Sequence, residues 1–470
     1  AVLEMACDSY GEIGTLVDTA PPTVGVVTSV CESHLDVFGT LDDVAQEKGK
    51  LVEALPPDGT AILNYDDPRV RAMVKRTQAR VLTYGFSSEA DVFIRSTGVS
   101  RQGTSCELFW DGQRFPLHIP LLGRHHGYTM AVAFAVGLVY GVSPQEVASA
   151  LEALTPLAGR TRLLPGLHGC ELLDDSYSAN PTSALAALDT LRSLDAERRI
   201  VVLGGMTHLG EATESGHRRV GQRCAEVADL LLVKGDLARV AVEEAMRSGL
   251  SSEHVHVAYR NQDLVHILKE RLQEGDLVLL KGSAEARLER VTAKILQDPE
   301  IAPDVLPRQG RGWRQLRLRR PGRPTWVEVD LDAIAHNVHR IVDLLGKGVE
   351  VLAVLKADGY GHGAVKVART ALNNGVTWLG VACLGEAITL RRAGLEAPIL
   401  ILGFTPPWQA REAVLQRTST TVFSRKVARA LSDAAVDLDR EARVHVKVDT
   451  GMGRLGLLPD QVVPFVRDIS

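Results

Sequence analysis

The six cysteines of this 470-residue sequence (Cys7, Cys31, Cys106, Cys170, Cys224 and Cys383) form no CxxC pair. Their scatter excludes a zinc knuckle and a paired redox motif, and fits the reduced thiols of a cytosolic protein better than a disulfide frame. Long apolar runs are missing too. The longest, 131–142, is too short to span a bilayer and reads as a buried helix, so no membrane insertion is expected. No signal-peptide pattern is visible. Charge is not lopsided: a net charge of -5 is too mild to imply a partner. No GxxGKT-type phosphate loop occurs anywhere in the sequence. The chain opens on AVLEMA without Met and stops at Asp468-Ile469-Ser470 inside a helical pattern, so it reads as a fragment cut at both ends.

What is present falls on either side of one stretch, Pro299–Pro324. It is rich in Pro and Gly, lacks an apolar period, and carries seven Arg from Arg308 to Arg323. It reads as a solvated inter-domain tether. A nucleic-acid arm is the competing interpretation, but no aromatic beyond Trp313 interleaves the charges, and no nucleic-acid partner is expected. The length alone suggests about three domains.

In the first half, apolar strands at 1–5, 23–30 and 61–64 alternate with helical stretches, which predicts a parallel α/β sheet. Short strands over 81–99 and 106–119 predict an antiparallel excursion. Polar residues at the carboxyl ends of such strands face the ligand crevice. Glu4, His34 and Asn64 occupy such ends; a carboxylate and an imidazole there suit either a divalent cation or ordinary turn and cap duties. Residues 172–181, LLDDSYSANP, predict a strand closed by paired acids and a helix opened by Asn180-Pro181. Further strands ending in Gly at 200–205, 230–235 and 277–282 make 159–298 a second α/β unit.

These residues resemble the Mur ligase family, specifically its dipeptide-adding branch. The matching pieces are VLEMACDSYGEI (2–13), TSVCESHLDVFGTLDDVAQEKGKL (28–51), ILNYDDP (62–68), GRTR (159–162), DDSYSANPTSALAAL (174–188), VVLGGMTHLGE (201–211) and LLKGSAEARLERV (279–291). The resemblance implies a central ATP-binding domain over 1–158 and a C-terminal domain over 159–300. It implies Mg2+ ligation by Glu4, His34 and a carbamylated Lys48, which alone would read as a solvated helix lysine. It places Arg160 on ATP phosphates, Asp175 on the ribose, and Asn64 at the nucleotide. Loops at Asn180, Met206 and Lys281–Ser283 would shape the dipeptide site. The implied reaction joins D-Ala-D-Ala to UDP-N-acetylmuramoyl-tripeptide at the expense of ATP. Two departures weigh against a complete site: the family's Gly-x-His-Asn-x-x-Asn pattern stands as Gly123-Arg124-His125-His126-Gly127-Tyr128-Thr129, and the phosphate loop, which the family carries upstream of the Glu4 position, is missing. These residues alone are not expected to make amide bonds.

After a linker over 301–323, the second half predicts strands at 325–330, 349–355, 378–382, 398–402, 419–422 and 443–448, a spacing that suggests most of a (β/α)8 barrel with its chemistry at the strand carboxyl ends. Lys356 stands at such an end. From spacing alone it reads equally as a desolvated catalytic amine or as a lysine that snorkels to the rim. AVLKADGYGHG (353–363) and VHVKVDTGMGRLG (444–456), with TWVEVDLDAIAHNV (325–338) and ACLGEAITLRRAG (382–394), resemble the alanine racemase family over 324–470. That resemblance implies a pyridoxal 5'-phosphate enzyme interconverting the alanine enantiomers. Lys356 would hold the cofactor and serve as an acid/base, Tyr360 would lie near its phosphate, Arg454 would face its ring, and Lys447, carbamylated in some members, would orient Arg454. It implies a homodimer and, with the ligase half, a cytoplasmic location. The tyrosine base of the family falls beyond residue 470, and an open barrel predicts exposed edges. The fold class expected is therefore α/β: two Mur ligase α/β domains and a partial (β/α)8 barrel. Competing interpretations are another Mur or folylpolyglutamate-type ligase, a different amino-acid racemase, and a non-catalytic ligand-binding chain.

Overall fold

The computed structural model describes residues 1–310, 327, 329–346 and 348–469. The chain divides into two compact units, the first built from two six-stranded sheets and the second from a five-stranded one.

The first sheet runs β1 (Val24–Val27), β2 (Thr60–Asn64), β3 (Arg80–Gly85), β4 (Val92–Ser100), β5 (Gly103–Trp110), β6 (Gln113–Ile119), in sequence order. β1 to β4 are parallel, and β4, β5 and β6 pair antiparallel, so the excursion expected from sequence is an extension of the same sheet. The helix His126–Val139 covers it, with Met130 and Phe134 fully buried against Ile62, Tyr84 and Ile94. Each such side chain contributes about 1.5–3 kcal/mol by leaving water. The helix Leu41–Glu53 starts where Thr40 accepts from the Asp43 N–H at 3.2 Å and where Asp42 and Asp43 meet the positive helix end.

Ala1–Met5 is not the strand its apolar residues suggested. It joins no ladder and is largely exposed. Apolar composition does not make a strand when the backbone finds no partner to bond.

The second sheet comprises β7 (Arg162–Pro165), β8 (Glu171–Asp175), β9 (Arg198–Gly204), β10 (Leu230–Lys234), β11 (Val255–Ala258) and β12 (Asp276–Lys281), in the order β11-β10-β9-β12-β8-β7. β8, β9, β10 and β12 are parallel, with buried apolar stretches at Leu172–Leu173, Ile200–Leu203, Leu230–Val233 and Leu277–Leu280, as a sheet covered on both faces needs. Helices Pro181–Ser193 and Thr213–Val227 contribute to its core. Asn180-Pro181 opens the helix Pro181–Ser193 as expected, and Asn180 and Ser183 form a capping box there.

The linker expected from residue 301 begins as folded chain. Pro299–Ile301 and Ala302–Val305 are short helical turns, and Ala302, Val305 and Leu306 are buried. These apolar residues recur at helical spacing, which the Pro content of the stretch obscures. Most of the Arg-rich tether and half of the strand expected at 325–330 lie outside the described residues. Asp330 caps the helix Leu331–Leu345 by accepting from the Asp332 and Ala333 N–H groups.

The third sheet is wholly parallel and in sequence order: β13 (Leu352–Val354), β14 (Trp378–Val381), β15 (Ile399–Ile401), β16 (Thr418–Val422), β17 (Arg443–Val446). A helix follows each strand, which is the repeating βα unit of a barrel. Five of its strands lie among the described residues. The outer strand β17 is largely exposed, as an open edge predicts.

Candidate functional site

In the first unit, β8 and β12 are neighbours, and their register sets Lys281 opposite Asp175. Both stand at strand carboxyl ends. Lys281 Nζ lies 2.7 Å from Asp175 Oδ2, with side chains 2% and 8% exposed, and donates to the Ser178 carbonyl at 2.9 Å. Burial pulls the Lys281 amine down, and Asp175 opposes that pull. A buried ammonium is tolerable only with such partners. The Thr161 N–H donates to Asp175 Oδ1 at 3.3 Å, and Arg160 donates to Ser178 Oγ at 3.1 Å while its guanidinium sits 4.4 Å from the Tyr177 ring centre. Arg160, Asp175 and Lys281 are thus gathered around one turn, 176–178. Next to Asp175, Asp174 is fully buried; burial pushes its carboxyl up to about 7, against a hydrogen bond from Thr292 Oγ1 at 2.9 Å. Burial likewise pushes His126 down to about 3, so its imidazole is neutral.

A second cluster links the two domains of this unit. Asn180 Nδ2 donates to Ser33 Oγ at 3.2 Å, Thr182 Oγ1 to Glu32 at 2.8 Å, and Arg219 to Glu32 at 2.6 Å. His208 bonds Asp36 at 2.8 Å, and its backbone carbonyl accepts from the Leu35 N–H at 2.9 Å. The hydrogen bond to Asp36 raises the His208 imidazole above its ordinary value. Met206 is buried beneath, its N–H donating to His217 Nε2 at 3.0 Å, and the Thr207 N–H donates to Ser283 Oγ at 3.0 Å. Loops at Asn180, Met206 and Ser283 therefore do meet.

The three expected metal ligands are not gathered. Glu4 and Lys48 line a cavity of about 680 Å3 walled by Val24–Thr28, Ile13 and Leu51. Lys48 Nζ donates to the Ser29 carbonyl at 2.7 Å. His34 instead faces Asp8 at 3.2 Å and stacks on His208 with ring centres 5.7 Å apart. Among the described residues no three His, Cys, Asp or Glu side chains converge as a cation site. An amine that donates cannot also ligate, so this donor set does not fit Mg2+ as it stands. Asn64 is buried and ties two loops together, donating to the Thr28 carbonyl at 2.9 Å and accepting from the Asp66 N–H at 3.0 Å.

In the second unit, Lys356 stands two residues past the end of β13, after the buried Leu355, and is half-buried. Beyond it the backbone turns left-handed: Ala357, Asp358, Gly359 and Tyr360 have φ of 54°, 54°, 62° and 56°. Each non-glycine residue there costs about 1–2 kcal/mol. Glu386 holds the turn. One carboxylate oxygen accepts from the Ala357 N–H at 2.7 Å and the other from the Ala382 N–H at 2.7 Å, clamping the loops after β13 and β14 together. Asp358 Oδ1 accepts from the Ala364 N–H at 2.8 Å. The strained turn brings Tyr360 beside Lys356, whose Nζ is 5.7 Å from the ring centre. Among the described residues Lys356 Nζ has no hydrogen bond or ion pair, so its amine is available to a carbonyl compound such as pyridoxal phosphate.

Lys447 and Arg454 flank a loop after β17. The Lys447 N–H donates to the Val422 carbonyl and its own carbonyl accepts from the Leu457 N–H, both at 2.9 Å. Asp449 accepts from the Gly453 and Gly451 N–H groups at 3.0 and 3.1 Å, which holds its carboxyl below the usual range. Arg454 is exposed on that loop. β13 and β17 are the outer strands of the sheet, so these residues share the carboxyl rim with Lys356 but stand at its opposite edge.

Three family domains match the chain: the Mur ligase middle domain over residues 1–137, the Mur ligase glutamate ligase domain over 159–284, and the alanine racemase N-terminal domain over 329–470. A UDP-N-acetylmuramoyl-tripeptide–D-alanyl-D-alanine ligase of Mycobacterium tuberculosis is 33% identical over 327 residues, covering 63% of this chain and 62% of that protein. Alanine racemase 1 of Oceanobacillus iheyensis is 49% identical over 141 residues, covering 30% of this chain and 38% of that protein. The solved MurF ligase of Thermotoga maritima, in complex with ADP, aligns with a TM-score of 0.56 at 24% identity over 62% of this chain and 66% of that one, a likeness of fold. The chain thus spans under two thirds of the ligase and about two fifths of the racemase that it matches.

Proposed function

We propose that this chain, which carries Mur ligase middle and glutamate ligase domains followed by an alanine racemase N-terminal domain, serves two steps of peptidoglycan precursor synthesis. One is ATP-dependent addition of D-Ala-D-Ala to UDP-N-acetylmuramoyl-tripeptide. The other is pyridoxal-phosphate-dependent interconversion of L-Ala and D-Ala. The observation that carries this is the occurrence of both domain sets, in this order, on one chain. The two steps share a currency of alanine: racemisation supplies the D-enantiomer from which the dipeptide is made. Nucleotide-linked substrates put the work in the cytoplasm, and the racemase half is proposed to pair as a homodimer.

In the ligase step the peptide carboxylate attacks the γ-phosphorus of ATP and ADP leaves. The dipeptide amine then attacks the acyl phosphate, forming the amide and expelling phosphate. Arg160 supplies a cation to the transferring group, whose charge spreads over its oxygens. Lys281 and Asp175 keep the turn beneath Arg160 in place, and Asn64 fixes the facing loop. No step is assigned to Mg2+, because Glu4 and Lys48 line one cavity while His34 faces Asp8 and His208.

In the racemase step pyridoxal phosphate, when bound, supplies an electron sink for the carbanion at the alanine Cα. Lys356 holds the cofactor and passes a proton to or from that carbon. Tyr360 sits where it can donate to an anionic group beside Lys356. Arg454 and Lys447 provide positive charge at the far edge of the rim.

The test uses the full-length protein. Borohydride reduction of the pyridoxal phosphate complex is expected to label Lys356 and leave Lys281 unlabelled. Lys356→Ala is expected to abolish racemisation and spare ligation. Labelling elsewhere, or loss of both activities together, would overturn the assignment.

A further inference from the structure

Residues 299–308 lie past the stretch that matches the glutamate ligase domain, which ends at 284, yet they pack into that domain. Their last member, Arg308, is the first arginine of the basic run. Its side chain is only 4% exposed. A guanidinium so deeply buried requires a counter-charge and hydrogen-bond acceptors. It has both. Nη1 lies 3.1 Å from Glu289 Oε2, and that carboxylate, 1% exposed, is shared with Arg287 at 2.5 Å. Nη1 also donates to the Ser176 carbonyl at 3.1 Å, and Nη2 donates to the Tyr177 carbonyl. The Arg308 guanidinium is 5.1 Å from the Tyr177 ring centre, and that of Arg160 is 4.4 Å from the same ring. Pro307 closes the contact against Gly159, where an added Cβ would come within 2.8 Å of its ring and where φ is +71°.

The backbone that Arg308 grips is the turn 176–178. The next residue, Ser178, accepts from Lys281 through its carbonyl and from Arg160 through its hydroxyl. The chain of contact therefore runs from Arg308, through the Ser176 and Tyr177 carbonyls, to Lys281 and to Arg160, the cation proposed for the ATP phosphates. We propose that Arg308, at the root of the tether, is a positioning residue for the ATP-phosphate site: it touches no substrate and acts by fixing Arg160 and Lys281. The proposal rests on the ligase assignment made above.

Arg308→Lys in the full-length protein tests it. Lysine keeps the charge opposite Glu289 but loses the planar fork that reaches two carbonyls at once. The KM for ATP is expected to rise about tenfold, the worth of one or two charge-assisted hydrogen bonds. The ligase kcat should stay within about twofold, and racemisation by the same chain is the internal control. A second variant, Arg308→Met with Glu289→Gln, removes both buried charges and should show the same rise in KM; should Arg308→Lys fail to fold, this pair decides. Ligation with an unchanged KM for ATP, even with a lowered melting temperature, would make Arg308 a structural brace and overturn the proposal alone. Absence of ATP-dependent ligation in the unaltered protein would overturn the ligase assignment and this proposal with it.

Discussion

Replacing Glu386 should loosen the turn that presents Lys356, and the structure sets the scale. Each carboxylate oxygen accepts one backbone N–H at 2.7 Å. A hydrogen bond to a charged group contributes about 1.5–3 kcal/mol, and the half-buried position of Glu386 argues for the lower figure. Glu386→Gln keeps one acceptor and turns the other toward an N–H as a second donor, so it should cost the turn about 1.5 kcal/mol or more. Glu386→Ala removes both, about 3 kcal/mol, and leaves Ala357 and Asp358 in left-handed conformations with one fewer restraint. The strain of those two residues, about 1–2 kcal/mol each, then favours a different backbone path. The assay is amide hydrogen exchange across 355–363 in the full-length protein, paired with equilibrium binding of pyridoxal phosphate. Protection should fall in the order wild type, Gln, Ala, and affinity should weaken by about tenfold or more for Gln. Unchanged exchange in Glu386→Ala would refute the clamp. Unchanged cofactor affinity despite faster exchange would show that the turn does not position Lys356.

Two pH dependences follow from groups in the first unit. Burial raises Asp174 to about 7, so its neutral form is favoured by folding; that contribution is complete below the unfolded value of 3.8 and is lost as pH rises through about 7. Asp174→Asn should therefore gain on wild type in melting temperature between about pH 5 and about pH 8, and a difference that does not vary with pH would count against it. For His208 the sign follows from its raised value: the stabilisation from Asp36 is full below the ordinary imidazole range and fades as pH rises through the raised one. Glu285 and the stacked His34 face the same ring, and half of its surface is exposed, so the effect is modest. The first unit of His208→Gln should lose less stability than wild type on going from about pH 6 to about pH 8, and equal losses would exclude the contact as a contributor.

Local signals carried much of this fold. Asn180-Pro181 opens a helix because capping is decided within four residues, and alternation of strand and helix reveals parallel sheets because each element's period is local. The signals failed where partners are distant. Lys356 was legible as a strand-end lysine, and three glycines hint at a turn, but nothing local puts Ala357 and Asp358 in left-handed conformations. Glu386, which helps hold them there, is 29 residues away on another helix. Arg308 read as one more tether arginine, since its acceptors at 176 and 177 lie more than a hundred positions upstream. Ala1–Met5 failed the opposite way: its apolar pattern is local, but a strand needs a second segment to pair with. His34 illustrates the limit for sites, because a motif names a residue without saying which of its neighbours it faces.

The two strand-end lysines show why position alone does not make a reactive amine. Lys281 is the last residue of a parallel strand, and Lys356 stands two residues past the end of one. Lys281 is 2% exposed and held by Asp175 at 2.7 Å and by a carbonyl at 2.9 Å. Burial lowers its affinity for a proton, the change a nucleophile needs, but its partners occupy the nitrogen's hydrogens and leave no room for an incoming carbonyl carbon. Lys356 is the reverse. It is half-buried, close to an aromatic face, and without an anion among the described residues. The left-handed turn accounts for the difference: an ordinary helical turn after β13 would carry the chain away in the usual sense, whereas positive φ at five successive residues, 357–361, folds Tyr360 back beside the amine. Strain that Glu386 and Asp358 offset thus takes the place, in the second unit, of the carboxylate that holds the lysine in the first. An amine prepared by backbone geometry stays free to form a covalent bond, while one held by an ion pair is committed to charge and position.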